Sequence, residues 1–214
     1  MTATDKELLP IVPLRTLVPL PGSVQPVEIG RGASLQAVRA AQQDDSLVLL
    51  VPEKRPATGD PSPADLFDVG VLAEIVQVIQ HSPSHLTAVM RTDERMRIAD
   101  YVEGMSYLVA RVEPFAPIEA ASTDDETEAL VVKVLEALTP VIAEQARLEG
   151  DAPETPEVVD IDDADDLVHL ATQHLELTRD QLLELLAEPD PAARLRLILP
   201  AIERMRDVIK VGAD

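Results

Sequence analysis

Between Leu9 and Gly32 the chain reads LPIVPLRTLVPLPGSVQPVEIGRG, with prolines at 10, 13, 19, 21 and 26. Each proline fixes φ and deletes a backbone donor, so the segment is predicted to be neither helix nor central sheet strand. It is extended chain. Ile11, Leu14, Leu17, Val18, Val24, Val27 and Ile29 carry enough apolar surface to hold two short edge strands against a core. Pro21-Gly22 and Gly30-Arg31-Gly32 supply the turns. Ser34 is read as the N-cap of a short helix with Leu35, Val38 and Ala41 on one face, ending near Gln43-Asp44.

The next elements are also short and mostly extended. Leu47 to Val51 reads as a buried strand, and Pro52 to Pro63, with four prolines and a glycine, as a loop. Val69 to Ile79 alternates as a long strand with Val71, Ala73, Ile75 and Ile79 on one face. His81 to His85 forms a hairpin tip, Leu86 to Arg91 returns, and Arg95 to Val102 pairs with Ser106 to Glu113. Five or six strands and one helix make a bent β domain over residues 1–117.

After Pro117 the period changes from two to about 3.6. Thr123 to Glu126 is a capping-box signature, followed by Leu130, Val134, Leu138 and Val141, with a kink expected at Pro140. Residues 150–156 break the chain, and acidic residues up to Asp166 lead into a helix carrying Leu167, Leu170, Ala171 and Leu175. Thr178 to Gln181 is a second capping box, and Asp190-Pro191 opens a last helix that Pro200 is expected to interrupt. Residues 118–214 are therefore predicted to be a helical bundle, giving an α+β chain.

Charge is unevenly spread. Residues 1–117 hold 15 acids against 10 bases (−5), and residues 118–214 hold 24 against 8 (−16). Such a polyanion has no basic stripe for phosphates, which argues against a nucleic-acid partner. No cysteine is present, so disulfides and thiolate chemistry are out of reach. The first residues, MTATDKELLP, lack a basic and then apolar leader, and no aliphatic run approaches membrane-spanning length. A cytoplasmic, soluble protein is the expectation.

The motif Pro13-Leu14-Arg15, Pro21-Gly22, Pro26 and Gly30-Arg31 resembles the opening of the Lon domain, the substrate-binding N-terminal region of ATP-dependent Lon proteases. Val69 to Ile75 resembles that family's next strand, and Arg91 to Ile98 its Gly-x-x-Arg-x-x-apolar strand, with Thr92 in place of the usual glycine. Leu20 and Glu28 stand where the family commonly has aromatic residues. The resemblance implies a PUA-like pseudobarrel with one or two short helices, then a helical bundle. It also implies binding of unfolded or damaged polypeptides, with a Lon protease as a further candidate partner.

No catalytic residue is predicted. None of Lys6, Lys54, Lys133 and Lys210 follows a glycine, so no P-loop is formed, and the family's Ser-Lys dyad lies in a domain with no counterpart here. No cofactor or metal is expected either. His81 and His85 flank a proline in a turn, His169 and His174 diverge on a helix, and Asp160 to Asp165 lacks the glycine and glutamate of a calcium loop. Candidate substrate-binding residues are Leu14, Arg15, Leu17, Leu20, Val24 and Arg31. For the two arginines the competing reading is that each pairs with carboxylates and loop carbonyls to fix turns. The helix stop near Gly212 favours a stand-alone binding module over the alternative, an N-terminal part of a full Lon protease serving hexamer assembly and substrate admission.

Overall fold

The computed structural model describes residues 7–115, 124–149 and 164–212. The chain divides into two units, Met1–Phe115 and Ala116–Asp214. The first contains β1 (Glu7–Leu14), β2 (Val24–Ile29), α1 (Gly32–Ala41), β3 (Leu47–Pro52), β4 (Val69–Ser82), β5 (His85–Val102) and β6 (Val109–Pro114). A 3-10 turn spans Pro63–Asp65. The strands run in the order β2-β5-β4-β3-β1-β6, and β6 pairs back onto β5, closing a barrel that leaves β2 outside the ring. This is the α+β architecture that the sequence implies.

β5 makes closure possible because it is long enough to serve two partners. Its first half, Leu86–Arg91, pairs with β2, and its second half, Met96–Val102, pairs with β6. The sequence reading split this stretch into two strands at Thr92-Asp93-Glu94, but it is one strand of 18 residues. The polar residues at the centre are tolerated because Asp93 and Glu94 face solvent. On β4, register shifts between Val71 and Ala73 and between Ile75 and Gln77 break strict alternation. Ile79 is consequently 43% exposed, and Val78 packs against the core instead.

Proline placement follows the donors that the sheet can spare. β1 lies between β3 and β6, contrary to the edge position expected of it, yet each half of it has one partner. Glu7–Pro10 pairs with β6, and Ile11–Leu14 pairs in parallel with β3. Pro10 and Pro13 therefore sit on half-strands that each keep an open side. β3 separates two apolar clusters: Val48 and Leu50 pack with Val12, Leu14, Val38 and Met90, whereas Leu49 and Val51 pack with Leu9, Ile11, Leu66 and Met96. Burial on both faces explains why LVLLV is an unbroken apolar run.

Thr92 has a specific task. Its buried hydroxyl accepts from Ser23 N–H at 2.8 Å and lies 2.8 Å from the Leu20 carbonyl and 3.0 Å from that of Ser23. Gly22, at φ 79° after Pro21, supplies the positive φ of a type II turn, and its N–H donates to the Thr92 carbonyl. Thr92 thus clips the Pro-Gly turn to β5. Replacing it by valine keeps the shape and strands the Ser23 donor, so Thr92→Val is expected to cost about 1–3 kcal/mol in urea denaturation.

The second unit comprises α2 (Asp124–Glu149), α3 (Ala164–His174), α4 (Arg179–Ala187) and α5 (Pro191–Gly212), with α2, α3 and α4 each packed on α5. Thr178 caps α4 as predicted, accepting from Gln181 N–H while the Gln181 side chain accepts from Thr178 N–H. Asp190 Oδ1 accepts from Ala192 N–H at the start of α5. Helix α5 runs through Pro200 without the expected interruption, and α2 likewise runs through Pro140. Both prolines are on exposed faces, where water can satisfy the carbonyl that each leaves without its N–H partner. Thr123, the break at 150–156 and the acidic run through Asp163 lie outside the described residues.

Candidate functional site

At the end of β1 the chain leaves the barrel. Leu14 is buried, Arg15, Thr16 and Leu17 emerge into solvent, and Val18 to Leu20 return to the interior before the Pro21-Gly22 turn. Among the described residues β2 then pairs with β5 alone, and its other edge has no strand partner. Pro26 on such a strand is where a missing donor is tolerated. Between that edge and residues 13–17 lies a cleft of about 520 Å³. Leu14, Val27 and Ile29 give it an apolar floor, while Arg15, Glu28 and the start of α1 give it a polar margin.

The six candidate residues divide by burial. Leu14 (4% exposed) and Leu20 (8%) are core residues, and Leu17 (37%) and Val24 (63%) offer apolar surface. Leu17 lines the cleft together with Leu14, Arg15 and Arg31, whereas Leu20 and Val24 are not among its lining residues. Burial follows the path of the chain, which leaves the interior over residues 15–17 and re-enters it at Val18.

The two arginines differ. The Arg31 guanidinium pairs with the fully buried Glu53 and also donates to the Ala57 carbonyl at 2.7 Å, while Glu53 accepts from Ala57 N–H at 3.0 Å. That closed circuit fastens the loop after β3 to the start of α1, which is the turn-fixing role weighed for it. The loop's far end is tied by Ser62, whose hydroxyl and N–H reach Asp65 and hold its carboxyl below the usual carboxylate range. Arg15 is exposed and has no hydrogen bond or ion pair among the described residues.

Sequence reasoning missed Glu53 and Ser34. A lone glutamate in a proline-rich loop carries no sign of burial, and by residue type Ser34 reads as the N-cap. Arg31 holds that position instead, without a side-chain cap, and Ser34 is buried in the first turn. The histidines are engaged elsewhere: His81 with Thr87 at 2.8 Å, His85 with Glu28 at 3.3 Å, His169 with Gln173 and His174 with Gln145. Among the described residues no group of three or more metal-ligating side chains converges.

A closed, bent barrel with one strand outside its ring, succeeded by four helices, is an architecture with solved counterparts. The N-terminal domain of a Mycobacterium avium complex Lon protease superposes with a TM-score of 0.71 at 24% identity, covering 92% of this chain and 98% of that one. The Lon N-terminal domain protein from Xanthomonas campestris gives 0.57 at 21% identity, over 91% and 98%. Residues 8–204 match the family described as the ATP-dependent protease La (LON) substrate-binding domain, and the chain belongs to that family. Lon protease 2 of Myxococcus xanthus is 29% identical over 96% of the chain and 24% of its own length. Lon protease 1 of Thermus thermophilus is 31% identical over 96% and 25%. The chain thus spans about a quarter of the length of these relatives. Among the described residues no helix is long and apolar enough to cross a membrane.

Proposed function

We propose that this chain is a non-catalytic polypeptide-binding module that takes unfolded or damaged segments in extended form along the cleft beside β2. The observation that carries this reading is the open edge of β2 facing the exposed segment 15–17 across an apolar floor. An edge strand offers backbone groups to any sequence, and alternate side chains of an added strand would meet the floor. Leu17 supplies apolar contact inside the cleft, and Val24 extends it at the start of the strand. Its place of action is the cytoplasm, and a Lon protease that receives the captured chain is the second proposed partner. The alternative, service within a full-length Lon protease for hexamer assembly and substrate admission, is favoured by the quarter-length coverage of the relatives.

The test is binding of the chain to a fluorescently labelled, permanently unfolded polypeptide, with the folded form as control, at low and moderate salt. Saturable, salt-tolerant binding of the unfolded form is expected, and Leu17→Asp should weaken it about tenfold, the equivalent of one exposed aliphatic contact. Val24→Asp should weaken it less. Leu20 is unsuitable as a probe because it is buried. Absence of saturable binding into the high micromolar range would sink the reading.

A further inference from the structure

The first turn of α1 borders the cleft with its donors unused. The helix's first backward bond runs from Leu35 N–H to the Arg31 carbonyl at 2.9 Å. The N–H groups of Gly32, Ala33 and Ser34 therefore have no acceptor within the helix. They have none elsewhere among the described residues, and Arg31 as N-cap supplies no side-chain acceptor. At this end the aligned peptide dipoles of a ten-residue helix add partial positive charge.

A second observation is independent of the helix. Ser34 lines the cleft, is only 5% exposed, and its hydroxyl makes no hydrogen bond among the described residues. That hydroxyl is therefore an unused donor at the cleft wall. Arg15, also lining the cleft, is a cation with no counter-charge among the described residues. Of the negative groups nearby, Glu53 is matched by Arg31, and Glu28, 73% exposed at its side chain, lies 3.3 Å from His85. The unused donors at the α1 end of the cleft, Ser34 Oγ–H, the first-turn N–H groups and the Arg15 guanidinium, call for an acceptor. Gly30 and Gly32 leave the approach to the helix open. A Cβ would meet nothing within 4 Å at Gly32 and only His85 Nδ1 at 3.4 Å at Gly30.

We infer that the α1 end of the cleft binds a carboxylate of the captured polypeptide, with Ser34 Oγ–H, the first-turn N–H groups and the Arg15 guanidinium as donors. This rests on the polypeptide-binding reading and narrows it. The ligand is an extended segment that carries either its chain-terminal carboxylate or an acidic side chain, rather than any unfolded chain. Arg31 is no donor to it, being held by Glu53 and Ala57.

Three fluorescent ten-residue peptides of one aliphatic sequence test the inference against the full chain by anisotropy. One ends in a free carboxylate, one in an amide, and one in an amide with a single internal aspartate. At least one charged peptide should bind about tenfold tighter than the neutral amide, as expected for charge-assisted hydrogen bonds. Which one does so identifies the source of the carboxylate. Ser34→Ala and Arg15→Gln should each shrink that ratio severalfold. Alanine is favourable at this helical position, so Ser34→Ala should remain folded by circular dichroism. Equal binding of all three peptides would overturn the carboxylate site and leave the cleft reading standing. A ratio that survives both substitutions would overturn it by placing the carboxylate elsewhere, and failure of all three to bind would overturn both readings.

Discussion

Arg31→Ala is expected to lower the thermal midpoint of the β unit by on the order of 10 °C or more, a larger loss than the exposure of that side chain would suggest. Its partner Glu53 is 0% exposed at the side chain, and Arg31 itself only 14%. Removing one member of a buried pair leaves the other charge in a low-dielectric interior, which typically costs about 3–5 kcal/mol. The guanidinium also holds the Ala57 carbonyl, so the loop after β3 loses an anchor together with the ion pair. Arg31→Lys should recover only part of the loss, because an ammonium cannot span a carboxylate and a carbonyl with a planar fork. The decisive comparison is the double variant Arg31→Ala with Glu53→Gln. If stranded charge is the cause, the double variant is more stable than Arg31→Ala alone; if it is less stable, the pair is not what matters. Tyrosine fluorescence reads this selectively, since both tyrosines, Tyr101 and Tyr107, lie in the β unit and the chain has no tryptophan.

Features written into consecutive residues were legible in the sequence. The Pro21-Gly22 turn, the Leu35, Val38 and Ala41 face of α1, the Thr178 capping box and the Asp190-Pro191 helix start each depend on residues within one turn of chain. The Lon-domain resemblance was carried by the same kind of local pattern, and the family match over residues 8–204 agrees with it. What escaped depends on distant partners or on counting. An added residue near Val76 has no compositional mark, yet it moves Ile79 off the core face. Thr92-Asp93-Glu94 has the composition of a turn, and only the β4 ladder on either side of it, Ala73 with Thr92 and Val71 with Arg95, keeps that region extended.

The cleft was half legible for the same reason. Most of its lining comes from a single continuous motif and was therefore visible in the sequence, while Thr58 joins it from the loop after β3. Whether a leucine of that motif faces core or solvent depends on where β5 and α1 pack, which sorts Leu14 and Leu20 from Leu17. Arg31 and Glu53 are 22 residues apart, and nothing in their neighbourhoods announces the pair.

Gly70→Ala should be about as damaging as the loss of Arg31, although the change adds a single methyl group. Gly70 lies near the start of β4, against β3. A Cβ built there would stand 2.6 Å from the Leu50 carbonyl oxygen, 2.9 Å from Val51 Cγ2 and 3.0 Å from Leu49 Cγ. The first of these is backbone, so no rotamer change relieves it. Leu49, Leu50 and Val51 are each 0% exposed and belong to the strand between the two apolar clusters, which removes room for a shift. Overpacking of a tight core costs about 1–3 kcal/mol when side chains can yield, and a fixed carbonyl should carry Gly70→Ala to or beyond the upper end. Backbone freedom is not the cause, because Gly70 is not among the positive-φ glycines. Gly59→Ala is the matched control: its Cβ would meet nothing within 4 Å, so the same substitution should be neutral or slightly stabilising by restricting the unfolded chain. Urea midpoints of both variants, followed by tyrosine fluorescence, decide the matter. Equal midpoints would mean that β3 and β4 are not packed as closely as the Gly70 contact requires.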